Sequence, residues 1–217
     1  MKLKEAESII NQIVNKPFGT LIQDESAFSD IVKNKGKAGQ ILEKIILHLK
    51  LSNTLHDFED GELKTNKCNS RGEPLETIAI TQISSSIDDL INRSSFENSR
   101  LAQKIKNFLY VPIVRENDSH SWFFMSPIHI DFSEPKYEII WKQLEKDYYT
   151  ICDKIIDDIN TKGRISTSNG KFIQIRTKDS VPYHPIFSTI FNQYVSDKNY
   201  AFYFQKDFIK AIKKLNS

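Results

Sequence analysis

The sequence lacks the cysteine and histidine clusters that structural zinc sites and disulfide-stabilised proteins need. Its 217 residues include two cysteines, Cys68 and Cys152, which lie far apart and have no metal-ligand spacing. The five histidines form no H-x-x-x-H pair and no cluster with cysteine. We therefore expect neither a structural zinc site nor a disulfide framework, and nothing requires an oxidising compartment.

Long apolar runs are also missing. No stretch approaches the roughly 18 apolar residues that read as a membrane span. Residues 1–16 are amphipathic and charged, without the continuous apolar region of a signal peptide. We therefore expect a soluble, cytoplasmic protein that does not bind membranes. The chain has no internal repeat and no low-complexity linker, which favours a single domain over residues 1–217, in one body or two closely packed lobes.

A strong excess of one charge is absent as well. The sequence has 30 lysine and arginine residues and 28 acidic residues, so its formal net charge is +2. This balance excludes a uniformly basic nucleic-acid-binding protein. Any nucleic-acid surface has to come from local clusters of basic side chains.

Helical and strand patterns are mixed along the chain. Apolar residues recur at helical spacing in residues 4–16, 26–33, 40–49, 100–107, 137–160 and 206–215. Strand patterns occupy residues 62–67, 77–83, 108–114, 122–125, 171–176 and 200–204. Mixed elements in this order predict an α/β fold with a central mixed β-sheet flanked by helices.

The segment from Asp57 to Lys64 has the pattern D-x4-E-x-K. On a strand, Glu62 and Lys64 share one face, and a tight turn at Gly61 would bring Asp57 back beside Glu62. Mg²⁺ prefers oxygen ligands and is often held by one or two carboxylates plus substrate phosphate. The lysine would orient the attacking water or stabilise charge on the phosphate. The alternative is a solvated hairpin, because such a spacing arises by chance in a charge-rich chain.

Glu43 interrupts the apolar pattern of the predicted helix at residues 40–49. A carboxylate beside a buried stripe needs a partner or a metal ion, because burying an unpaired charge is costly. The alternative is a solvent-facing residue at the edge of the stripe.

Six segments carry recognisable motifs: residues 34–43, 57–65, 71–77, 104–112, 172–178 and 202–204. Taken in order, they resemble the MutH family of DNA endonucleases and the related GATC-cutting Sau-type restriction enzymes, within the PD-(D/E)xK superfamily. The first two match the family's K-G-x-x-G-x-x-L-E element and its D-F…E-L-K-T hairpin. The next two match its G-R-P-L-E-T and K-L-K-R-V-L-W-I-P stretches. The last two match Y-L-Q-I-R-P-K and F-Y-L.

The resemblance implies a restriction-endonuclease-like core with two lobes around a DNA cleft. It implies that Asp57, Glu62 and Lys64 are catalytic, with Asp57 and Glu62 as the Mg²⁺ ligands. Glu43 would add a further carboxylate and Lys106 a further active-site lysine.

The resemblance also implies which residues bind DNA. Lys35 and Lys37 would contact DNA in the basic, glycine-bearing stretch before Glu43. Arg176, Lys178 and Tyr203 would read the bases and their adenine methylation, and Arg and Lys side chains can bond guanine edges in the major groove. For Tyr203 the alternative is a strand aromatic that packs inward.

The sequence departs from the family pattern at two places. The family usually has two more residues between the aspartate and the E-x-K, so Asp60 is an alternative to Asp57 if the turn is built differently. After Lys64-Thr65, the polar pair Asn66-Lys67 replaces the apolar pair that is typical of mismatch-repair members.

Three functions follow from the resemblance. The departure after Lys64 favours a type II restriction enzyme that cuts double-stranded DNA at a short palindrome, with GATC expected, as a homodimer on DNA. The alternative is a mismatch-repair endonuclease that nicks hemimethylated GATC sites with a MutL-type activator. The third possibility is a non-catalytic DNA-binding sensor module.

Overall fold

The structure is a computed structural model that describes residues 1–22, 42–43, 47, 57–116 and 118–216. It divides into two units. One contains Met1–Glu76 and Lys106–Asp131, and the other contains Thr77–Ile105 and Phe132–Leu215. None of the described helices combines the length and hydropathy needed to cross a bilayer.

The described elements follow one another in a mixed order. The helices are α1 (Leu3–Asn11), α2 (Phe18–Leu21), α3 (Ile87–Ile91), α4 (Arg100–Ile105), α5 (Glu138–Lys162) and α6 (Lys206–Leu215). The strands are β1 (Glu62–Cys68), β2 (Ile78–Gln82), β3 (Asn107–Val114), β4 (Phe123–Phe124), β5 (Ile128–Asp131), β6 (Ser168–Asn169), β7 (Ile173–Thr177), β8 (Ile186–Ser188), β9 (Gln193–Ser196) and β10 (Tyr200–Phe204).

The first unit is built on a mixed sheet. Strand β1 runs parallel to β3 with Glu62 opposite Phe108, and β4 and β5 pair with β3 in the antiparallel sense. Because side chains alternate along a strand, Leu63 and the charged residues Glu62 and Lys64 lie on opposite faces of β1. Leu63 belongs to an apolar core that also includes residues of α1 and β3, namely Leu3, Ala6, Ile10, Leu109, Val111 and Ile113.

The second unit contains an antiparallel sheet in the order β2-β10-β7-β6. Helix α5 buries most of the apolar stripe that its sequence predicts, including Leu144, Ile151 and Ile155, whereas Ile139, predicted to be part of that stripe, is 83% exposed. It ends where Gly163 adopts a left-handed conformation with a φ of 70°. In helix α6, the Phe208 ring stacks on Phe204 of β10. A separate hairpin of β8 and β9 is held to α3, where the Asp88 carboxylate accepts hydrogen bonds from Ser188 and Thr189.

The mixed α/β class and the mixed sheet agree with the sequence predictions. The second sheet was not predicted, because strand patterns do not reveal which strands pair. Helix α1 ends at Asn11 rather than at residue 16, and Asn15 has a φ of 60°, which an α-helix does not accommodate. The predicted helix at 26–33 and most of that at 40–49 lie outside the described residues.

Candidate active site

A tight turn leads into β1. The Phe58 N–H donates to the Gly61 carbonyl at 3.0 Å, and the Asn107 side-chain amide donates to the Asp60 carbonyl at 2.8 Å. A Cβ atom at position 61 would lie 2.3 Å from the Asn107 carbonyl oxygen. The turn therefore packs directly against the start of β3, and this close approach requires glycine.

The turn returns Asp57 to the start of β1. Its Oδ2 accepts a hydrogen bond from the Leu63 N–H at 3.0 Å, while the residue as a whole is exposed. The Asp57 carboxylate therefore lies against the peptide that follows Glu62. The shortened spacing noted in the sequence still allows the aspartate to reach the E-x-K segment.

Asp60, the alternative to Asp57, is engaged elsewhere. Its Oδ1 accepts a hydrogen bond from the Leu3 N–H at 2.8 Å, in the first turn of α1. The N-terminus of a helix presents unpaired N–H groups and a partial positive charge, so a carboxylate is stabilised there. This geometry favours Asp57 over Asp60 as a metal ligand.

Glu62 and Lys64 form an ion pair on one face of β1. The Lys64 Nζ lies 2.7 Å from Glu62 Oε1, and the two side chains are 11% and 4% exposed. Burying a lone carboxylate is costly, and a hydrogen-bonded lysine offsets part of that cost. Lys64 is therefore the partner of Glu62 in this structure, and the two charges meet on the face opposite the apolar core.

A buried polar network lies farther along the same face. The Tyr110 hydroxyl donates to Asn66 Oδ1 at 2.6 Å, and the Asn66 amide donates to the Glu76 carbonyl at 3.1 Å. Burial, with a smaller effect from Cys68, raises the pKa of Tyr110, so its hydroxyl remains a donor at neutral pH. The sequence alone did not reveal this network. The available signal was that Asn66 occupies an even-numbered position of the strand, on the face of Lys64.

The other two predicted catalytic residues are Glu43 and Lys106. Glu43 is half-buried beside the buried Leu42, whose carbonyl accepts a hydrogen bond from the Leu47 N–H at 2.9 Å. Lys106 is exposed in the bend between α4 and β3. Because Glu62 lies opposite Phe108, Lys106 lies at the end of the sheet where β1 begins. Lys35 and Lys37 lie outside the described residues.

The donor atoms of this site suit a hard cation. Asp57 and Glu62 offer only carboxylate oxygens, the ligands that Mg²⁺ prefers, and two carboxylates leave positions for water and a substrate phosphate. Within the described ranges, no group of three or more His, Cys, Asp and Glu side chains is arranged to hold a metal ion.

The predicted base-reading residues lie in the second unit. Ile173 and Ile175 of β7 are buried, whereas Arg176 is exposed. The Arg176 guanidinium lies 4.2 Å from the centre of the Tyr203 ring on β10.

Tyr203 is 7% exposed, so it packs inward and also supports Arg176 through a cation–π contact. Lys178 is exposed one residue beyond β7, where its N–H donates to the Asn199 carbonyl at 2.9 Å. The structure thus brings Arg176 and Tyr203 together and places Lys178 just past them.

Comparisons with known proteins agree with the motifs. A family model described as "DNA mismatch repair enzyme MutH" matches residues 49–143. The matched range includes Asp57, Glu62, Lys64 and Lys106. The chain is also 30% identical over 201 residues to the DNA mismatch repair protein MutH of Buchnera aphidicola subsp. Baizongia pistaciae (strain Bp), covering 89% of this chain and 87% of that protein.

Proposed function

The chain belongs to the MutH family of DNA endonucleases, and from this premise we propose that it nicks the unmethylated strand of hemimethylated GATC sites in mismatch repair. A MutL-type protein would activate it. The observation that carries the proposal is the buried Glu62–Lys64 pair beside Asp57, within a chain whose similarity to a mismatch repair protein covers most of both sequences.

The repair function is favoured over the restriction enzyme that the sequence had suggested. That suggestion depended on the polar pair after Lys64-Thr65. In the structure, Asn66 is buried and bonded to Tyr110, so its polarity serves the packing of β1 against β3. Packing therefore accounts for the polar Asn66 without a restriction function, and both comparisons name mismatch repair proteins. A homodimer on DNA belongs to the restriction hypothesis and stays a prediction.

The proposed mechanism is in-line attack of water on a backbone phosphate, which leaves 5′-phosphate and 3′-hydroxyl ends. A Mg²⁺ ion bound by Asp57 and Glu62 would lower the pKa of the attacking water and neutralise developing charge. Lys64, which is ion-paired with Glu62, would hold that carboxylate in place and offer its ammonium group to the phosphate. Glu43 would supply a further carboxylate, and Lys106 a further positive charge, at the same site.

DNA recognition would divide into two parts. Lys35 and Lys37 would contact the phosphate backbone and give the salt-sensitive part of the affinity. Arg176, supported by Tyr203, and Lys178 would contact base edges in the major groove. The resemblance also implies that the two units act as lobes around a DNA cleft, and this remains a prediction, as does their description as one domain.

The test is a cleavage assay on duplexes that carry one GATC site in unmethylated, hemimethylated and fully methylated form. We expect Mg²⁺-dependent nicking of the unmethylated strand, stimulated by a MutL-type protein and abolished by EDTA. Fully methylated DNA should stay intact.

Two other outcomes would contradict the proposal. Cutting of both strands of unmethylated DNA without a partner would establish a restriction enzyme. Specific binding with no cleavage under any metal or partner condition would establish a DNA-binding sensor module.

A further inference from the structure

We propose that Gln174 contacts the adenine of the recognition site and thereby contributes to base specificity. The inference rests on the proposed function, because it assumes that the exposed face of β7 meets the major groove at GATC. Three features of Gln174 support it, namely its position on that face, its neighbours, and the hydrogen-bonding capacity of its side chain.

Gln174 shares a face of β7 with Arg176. The strand alternates, with Ile173 and Ile175 buried on one side and Gln174 half-buried and Arg176 exposed on the other. Gln174 lies directly opposite Tyr203 in the antiparallel ladder with β10. Two residues that share a face in this way lie about 6.6 Å apart along the strand.

The carboxamide of Gln174 is not engaged by the protein. Within the part of the chain that the structure describes, it neither donates nor accepts a hydrogen bond. Two other half-buried glutamines behave differently. Gln143 donates to Asp147 at 2.8 Å, and Gln205 donates to the Gly170 carbonyl at 2.5 Å. Gln174 therefore keeps both a donor and an acceptor for a ligand at this face.

Adenine is the base that such a side chain suits. A carboxamide can donate to N7 and accept from the N6 amino group of adenine, whereas a guanidinium pairs with O6 and N7 of guanine. In GATC the guanine and adenine are neighbours on one strand. Arg176 and Gln174, neighbours on one face, can therefore contact these two bases together. The Tyr203 ring under Arg176 restricts the guanidinium and so helps to keep Arg176 at the guanine and Gln174 at the adenine.

The experiment measures binding to a GATC duplex in which 7-deazaadenine replaces the adenine, with Ca²⁺ in place of Mg²⁺. The wild-type protein should bind this duplex about three- to tenfold more weakly than the ordinary site, because one hydrogen bond is lost. Gln174→Ala should bind the ordinary site about fivefold to a hundredfold more weakly. It should show no further loss with 7-deazaadenine.

Gln193→Ala is the matched control, since Gln193 is an exposed strand residue of the same unit. It should keep both the wild-type affinity and the wild-type response to 7-deazaadenine. Gln174→Met, which keeps the length of the side chain, serves if the alanine variant does not fold.

If a variant at position 174 keeps the wild-type response to 7-deazaadenine, the inference about Gln174 is wrong but the proposed function is unaffected. A wild-type protein that does not prefer GATC over a scrambled duplex would remove the proposed recognition function, and the inference with it. The two failures are therefore distinguishable.

Discussion

At the scale of single residues, Lys64 is the side chain whose loss should separate catalysis from DNA binding. Its Nζ lies 2.7 Å from Glu62 Oε1, on the face where we place the scissile phosphate. Lys64→Ala should bind DNA almost as well as the wild type but cut it at least about a hundredfold more slowly, because a positioned charge-stabilising donor is lost. Single-turnover cleavage and gel-shift assays on one duplex measure the two effects.

The control for this experiment is Lys67→Ala. Lys67 is half-buried on the same strand but at an odd-numbered position, on the face opposite Lys64. It should keep wild-type cleavage. Removing Lys64 also leaves the buried Glu62 without this partner, so melting curves should accompany the assay. A folded Lys64→Ala protein that cuts at nearly the wild-type rate would remove Lys64 from the mechanism.

At the scale of elements, the turn before β1 sets the position of Asp57 and Glu62. Gly61→Ala should destabilise the protein by about 1–3 kcal/mol, because overpacking forces backbone shifts. The obstructing atom at 2.3 Å is the backbone carbonyl oxygen of Asn107, which cannot rotate away as a flexible side chain could. Urea denaturation measures the loss, and cleavage should fall with it because the turn positions Asp57 and Glu62, the proposed metal ligands.

Gly163→Ala is the comparison for this prediction. A Cβ atom there meets nothing within 4 Å, so the cost should come only from the left-handed backbone, about 1 kcal/mol. A Gly61→Ala protein as stable as the wild type would show that the turn can move away from β3.

Helix α5 holds the start of β7, the strand that carries the proposed base-reading residue Arg176. The buried carboxylate of Asp147 accepts hydrogen bonds from the N–H groups of Phe172 and Ile173, at 2.5 and 3.2 Å. A Cβ atom on Gly170 would lie 2.4 Å from the Asp147 Cγ. The start of β7, and with it the orientation of Gln174 and Arg176, therefore depends on a polar anchor in the middle of a long helix.

At the scale of the whole molecule, two hydrogen-bonded aspartates should make stability depend on pH. Burial alone would raise the pKa of Asp158, but hydrogen bonds from Lys154, Lys162 and Ser166 outweigh it and hold the pKa well below its usual range. The pKa of Asp179 is lowered against the same effect of burial by hydrogen bonds from His184 and backbone N–H groups.

Because these folded-state pKa values lie below the unfolded value of about 3.9, their contribution to stability is fully present above that pH. It is lost as the pH falls toward the folded-state values. We expect these groups to leave the melting temperature unchanged between pH 7 and 5. Below about pH 4 the melting temperature should fall steeply. Thermal melts across this range measure the effect.

Asp158→Asn provides the check on this prediction. It should melt lower at pH 7 and lose less on acidification than the wild type. Asp153→Asn, an exposed aspartate on the same helix, should follow the wild-type curve. An acid dependence that is unchanged by Asp158→Asn would show that other groups control it.

The sequence by itself determined the family, the candidate catalytic residues and the local elements. The pattern D-x4-E-x-K named Asp57, Glu62 and Lys64, and six ordered motifs named the family. Strand β10 and helix α6 have the predicted bounds, because alternation and helical spacing are local properties that a short window reveals.

Only the tertiary structure decided what depends on distant partners. Strands β1 and β2 are neighbours in sequence, but β1 pairs with β3 and β2 pairs with β10, so the two strands lie in different sheets. The contact of Asp60 with α1 distinguished it from Asp57, and the bond from Tyr110 explained the polarity of Asn66. These partners lie 44 to 57 residues apart, and no local pattern encodes which of many polar side chains will meet when the core closes.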